Sequence, residues 1–136
     1  MDYRTKAQPR AIDTTKIWRQ AAVNPIISMT PVEEIEPLEL KARLDRGERL
    51  EVLDVREPEE IAVASFPSAL HIPMGDIPSR LTELDPDAHW VVVCHHGIRS
   101  AQVAMYLAHM GFERVANLAG GIDAWSLNAD PKIPRY

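Results

Sequence analysis

Cys94 is the only cysteine of the chain, and the stretch Cys94-His95-His96-Gly97-Ile98-Arg99 places it beside two imidazoles, a glycine and a guanidinium. With no second thiol an intrachain disulfide is excluded. A lone cysteine is then either a small buried hydrophobe or a reactive thiol. Three features favour the reactive reading. A short turn containing Gly97 can aim successive backbone N–H groups inward as an anion-binding nest. A helix beginning near Ser100 adds its unpaired N–H groups and the positive end of its dipole. Arg99 adds a full charge. All three favour an anionic sulfur on Cys94 and would stabilise a terminal persulfide anion formed there. The chemistry is that of a nucleophile.

The neighbouring polar residues take lesser roles. A zinc site built on Cys94, His95 and His96 fails on geometry, because adjacent residues of a tight loop cannot all face one ion, and no metal is expected. The two histidines read as the rim of the pocket, adding positive charge when protonated. Ser100 reads as a helix cap. Asp54 and Arg56, at the end of another strand, either support the loop or pair with each other and with nearby helices. For Arg56 the structural role is favoured; for Asp54 the two readings are equal. His71, His89 and His109 have no partner legible in the sequence.

The positioning elements follow from periodicity. Pro37, Leu40, Leu44 and Gly47 outline a helix over about 37–46. Glu51-Val52-Leu53-Asp54-Val55 reads as a strand, Pro58 opens a short helix, and Ala69-Leu70-His71-Ile72 is a second strand. Asp76 can cap a helix over about 77–84. Trp90-Val91-Val92-Val93 is the most continuous apolar run and suits a strand buried on both faces. A helix from about Ser100 to Met110 carries Val103, Leu107 and Met110 on one stripe, with Gly111 as its stop. Val115-Ala116-Asn117-Leu118 is the last strand, and a short helix runs through the core residue Trp125. Strands alternating with helices predict an α/β domain with a parallel sheet and helices on both faces. Ligands bind such sheets at the C-terminal strand ends, which is where Cys94 lies.

Composition bounds the remainder. The 136 residues, 46% hydrophobic and 26% charged, suit one globular domain. A net charge of −5 disfavours nucleic acid as a partner. Residues 1–30 hold five basic side chains against two acidic ones, a balance of +3 that leaves −8 for the rest; residues 1–32 read as an extension or linker, with a short helix within 13–22, ahead of a domain at 33–136. No apolar run has the length of a membrane span and none marks a signal peptide, so no membrane association and a cytoplasmic location are expected.

Four motifs in order carry a resemblance to the rhodanese homology domain: Asp54-Val55-Arg56-Glu57-Pro58-Glu59-Glu60, His71-Ile72-Pro73, Val93-Cys94-His95-His96-Gly97-Ile98-Arg99-Ser100, and Leu118-Ala119-Gly120-Gly121-Ile122-Asp123-Ala124-Trp125. The resemblance covers about residues 35–127 and implies a five-stranded parallel sheet. It also implies a ping-pong sulfurtransferase, with Cys94 taking sulfane sulfur from a small donor and passing it to cyanide, a thiol or a sulfur-carrier protein. The persulfide on Cys94 is the covalent intermediate and no cofactor is implied. The chain departs from the family at Ala64-Ser65-Phe66-Pro67-Ser68-Ala69, where Gly-His-Ile-Pro-Gly-Ala is common. At Glu60, two-domain members can carry an arginine that holds small anionic donors. The tail Asp130-Pro131-Lys132-Ile133-Pro134-Arg135-Tyr136 resembles that of rhodanese domains fused to ubiquitin-like-protein activating enzymes. Two alternatives stand beside this reading. One is a regulatory or redox-sensing module, since a reactive thiol is also an oxidation sensor. The other is a related cysteine phosphatase or arsenate reductase, whose loop has five residues between cysteine and arginine. Here four residues, His95 to Ile98, leave a ring sized for sulfur rather than phosphate.

Overall fold

The computed structural model of the protein describes residues 32–136. The basic stretch at 1–30 and the short helix expected within 13–22 lie outside the described residues. The apolar run at 90–93 forms the middle of the sheet, as its two-sided burial requires. Among the described residues five strands pair in parallel: β1 (Glu33–Ile35), β2 (Glu51–Asp54), β3 (Leu70–His71), β4 (His89–Val93) and β5 (Arg114–Leu118). Their order is β1–β5–β4–β2–β3, so β4 is central. Val92 faces Leu53 on one side and Asn117 on the other, and Asp54 is level with Val93. The C-terminal ends of β2, β4 and β5 therefore open at one edge.

Among the described residues four α-helices accompany these strands: α1 (Pro37–Asp45), α2 (Pro58–Val63), α3 (Ile98–His109) and α4 (Gly121–Asn128). The alternation of β4 sorts the core into two layers. Trp90, Val92 and Cys94 face Val103, Ala104 and Leu107 of α3, with Ile77, Leu81 and Leu84 beside them. Val91 and Val93 face Leu40 of α1 and Ile122 and Trp125 of α4 on the opposite side. Helices thus cover both faces, as expected for a parallel sheet. Among the described residues no helix is long and apolar enough to cross a membrane.

Three elements differ from the sequence reading. β1 carries two acids in three residues at the edge of the sheet, too short and too polar to show a period. The helix expected at 77–84 is instead 3₁₀: Met74–Asp76 is followed by Pro78–Glu83, the second interrupted within by non-helical dihedrals at Arg80, and Asp76 makes no side-chain cap there. α3 begins at Ile98 rather than Ser100, because Gly97 at φ 99° takes the N-cap position and turns the chain directly into the helix. Ser100 is therefore inside the first turn and is not the cap.

Candidate active site

The turn from β4 into α3 wraps around one sulfur atom. Gly97 N–H donates to Cys94 Sγ at 3.1 Å, and Ser100 Oγ lies 3.2 Å from the same atom. Cys94 is 1% exposed. Cys94 is not on the surface of its loop: it continues the inward alternation of β4, so its side chain points into the α3 layer. Only four residues, 94 to 97, form the turn, and Ile98 and Arg99 already belong to the helix.

The turn is held from below by α4. Ile122 N–H donates to Cys94 O at 2.8 Å and Asp123 N–H to His95 O at 3.1 Å, so the amino end of that helix satisfies the outward carbonyls of the loop. This close approach needs glycine. Gly121 has φ 64°, and a Cβ there would run into the carbonyls of Cys94 and His95. A Cβ on Gly97 would stand 3.2 Å from Gly120 N.

The charge of Arg99, which interacts with Cys94, is shared with a carboxylate that the sequence did not pair with it. Its guanidinium is forked onto Glu60 of α2, Nη1 to Oε2 at 2.8 Å and Nη2 to Oε1 at 2.9 Å. Glu60 also receives Glu57 N–H and the hydroxyl of Tyr136. Hydrogen bonding from Arg99 above all holds the Glu60 carboxyl down at about 2. Arg99 and this carboxylate therefore form a closed pair beside the turn.

Asp54 and Arg56 pair with each other out of solvent, Arg56 Nη2 to Asp54 Oδ2 at 2.8 Å. Arg56 also donates to Ala64 O and to the Tyr136 hydroxyl. His71 Nε2 is 2.6 Å from Arg56 O, a partner the sequence did not reveal. Burial lowers the pKa of His89, and His109 is on the surface.

His95 is half-buried between two rings, 3.9 Å from that of His96 and 3.9 Å from that of Tyr136. His95, His96 and Asp123 bring ligand atoms within 4.8 Å of one another. Stacked imidazoles, however, direct their in-plane lone pairs side by side rather than toward a common point, which does not suit a metal. Ile98 is 72% exposed beside the turn.

Sequence reasoning missed Glu34, Asn117 and Tyr136, and at Glu60 it saw the departure from an arginine but not the pairing with Arg99. Asn117 lies on β5 beneath the turn: its Oδ1 accepts from Ser100 Oγ at 2.5 Å, and its Nδ2 donates to Gly97 O and to both carboxylate oxygens of Glu34, each at 3.1 Å. The position of Asn117 within a predicted strand, level with the end of β4, was the available signal for it. Tyr136 is 80 residues from Arg56, and no local pattern announces such a contact.

Comparison with known proteins agrees with this geometry. The rhodanese-like domain family model matches residues 36–128. A protein of Allochromatium vinosum named sulfurtransferase is 42% identical over 102 residues, which span 75% of this chain and 95% of that protein. The adenylyltransferase and sulfurtransferase MOCS3 of Arabidopsis thaliana is 29% identical over 127 residues, 81% of this chain but only 27% of that protein. Among solved structures, a rhodanese-like domain protein from Staphylococcus aureus superposes with a TM-score of 0.68 at 33% identity, covering 77% of this chain and 99% of that one. A turn closed around one cysteine sulfur, a five-stranded parallel sheet and these relatives have one common reading: the chain belongs to the rhodanese-like domain family, as a rhodanese-type sulfurtransferase.

Proposed function

We propose that Cys94 carries sulfane sulfur as a persulfide between a donor and a thiol, cyanide or sulfur-carrier acceptor. The observation that carries this reading is the four-residue turn that puts Gly97 N–H and Ser100 Oγ within 3.2 Å of Cys94 Sγ. In the first half-reaction the Cys94 thiolate attacks the outer sulfur of the donor. The donor S–S bond breaks with its electron pair on the departing group; with thiosulfate that group is sulfite. In the second, an acceptor thiol attacks the terminal sulfur, the Cys94 S–S bond breaks with its electron pair on Sγ, and the proton of the acceptor thiol ends on Cys94. The turn amides and the first turn of α3 stabilise the anion in both steps.

The paired charges beside the turn bear on the donor. With Arg99 neutralised by Glu60 the site offers little attraction to a dianion. That favours a persulfide on a larger thiol, or on a carrier protein, over thiosulfate. The exposed Ile98 supports contact with such a partner.

Cys94→Ser tests the reading. Although residue 94 is buried, a serine oxygen there still meets the Gly97 N–H and Ser100, so the variant should fold. It is expected to lose all sulfur transfer from donor to cyanide, followed as thiocyanate. A folded variant transferring at the wild-type rate would refute the role of Cys94.

A further inference from the structure

The hydroxyl of Ser100 has one proton and two claimants. It lies 2.5 Å from Asn117 Oδ1 and 3.2 Å from Cys94 Sγ. Which one receives the proton is decided by the amide of Asn117. Both Nδ2 protons are taken, one by the carboxylate of Glu34 and one by Gly97 O. Turning the amide over would set its oxygen against three acceptor atoms and no donor. Asn117 Oδ1 must therefore face Ser100, and as it is acceptor-only, Ser100 donates to it. The lone pairs of Ser100 are then left for Cys94. A protonated Cys94 then has Ser100 Oγ as its acceptor, while Gly97 N–H donates to the sulfur.

We propose that Asn117, locked by Glu34, is a positioning residue that keeps the Ser100 hydroxyl away from Cys94 and so holds Cys94 as a tempered thiol between turnovers. To donate to an anionic Cys94, Ser100 must leave Asn117. On persulfuration Sγ becomes a neutral divalent sulfur, and Ser100 returns to Asn117. When the terminal sulfur departs, Sγ takes the electron pair and Ser100 turns to it until the proton of the acceptor thiol arrives. This last consequence rests on the sulfur-transfer reading; the resting arrangement does not. Asn117 and Ser100 are buried, whereas Glu34 is exposed on the edge strand, so the lock can be opened from the surface.

The test uses the reduced protein alone, so its failure is separable from failure of the sulfur-transfer reading. With a single cysteine, the S–H stretching band in the infrared belongs to Cys94. A donating S–H absorbs at lower frequency than a free one. Wild type should show the lowered band, and Ser100→Ala the free one. Asn117→Ala releases the hydroxyl toward the sulfur and should also move the band to the free position. It should speed alkylation by iodoacetamide, a neutral probe, about two- to tenfold, the scale of one hydrogen bond. Glu34→Ala, a surface change that leaves the core intact, lets the amide turn over and should shift both readouts in the same direction. In a Ser100→Ala background neither substitution should have any further effect. A gain in alkylation that persists in that background would mean that the loop has merely loosened, and would overturn the proposal. So would a wild-type band already at the free position.

Discussion

At the scale of residues, the proposed preference for a larger donor rests on the charge around Arg99. Arg99 is the cation of the loop, and Glu60 occupies its fork with two bonds of 2.8 and 2.9 Å. Replacing Glu60 by Gln keeps the shape and removes the neutralising charge. The variant should raise kcat/KM for thiosulfate about tenfold, while a donor persulfide on a neutral thiol changes by less than about twofold. Equal changes for both donors, in steady-state assays at fixed ionic strength, would show that this pair is structural only. Cys94, Gly97 and Arg99 were legible in the sequence because turn chemistry and nucleophile chemistry are local. The pairing of Arg99 was not, because Glu60 approaches from a different helix, 39 residues away.

At the scale of elements, the site is a turn resting on the amino end of another helix. The two carbonyls that Ile122 and Asp123 hold are the ones a Cβ at Gly121 would strike. Gly121→Ala, at φ 64°, therefore displaces the loop as well as straining the backbone. A loss of about 2 kcal/mol or more is expected in denaturant unfolding, with sulfur transfer reduced further than stability alone explains. Wild-type activity in that variant would mean that the turn does not depend on this seat. The strands at 51–54, 90–93 and 115–118 and the helix that starts beside Cys94 were readable from period and burial. β1 was not, since its three residues take their conformation from pairing with β5 rather than from any pattern of their own. The departure at Ser68 is also explained. It adopts φ 59°, the region where the family commonly has glycine, so the backbone turn is kept at the cost of some strain. Ala64 has an extended backbone that needs no glycine.

At the scale of the molecule, α2, α3 and the last residues of the chain meet at one carboxylate. Glu60 receives Arg99 from α3, its own helix start through Glu57 N–H, and the hydroxyl of Tyr136. Tyr136 links it in turn to the buried Arg56–Asp54 pair. A carboxyl held at about 2 against an ordinary 4.5 is a stability term. Its folded-state value is depressed, so its contribution is present above about 4.5 and is lost as pH falls toward about 2. Urea unfolding across that window should show wild type losing stability faster than Glu60→Gln, with the two curves converging at the acid end. Parallel curves would contradict this. The convergence of Tyr136 on the site could not be read from the sequence, because stacking on His95 requires the whole fold to bring residues 95 and 136 together.

The central claim is that one sulfur atom rides on Cys94, and intact-mass spectrometry tests it most directly. The purified protein is reduced, exposed to a persulfide donor, freed of excess donor and weighed. The account predicts a gain of one sulfur atom, absent in Cys94→Ser and removed on adding an acceptor thiol, with the sulfur recovered on the acceptor. An unchanged mass under conditions that load a known sulfurtransferase, or a gain that persists in Cys94→Ser, would contradict it.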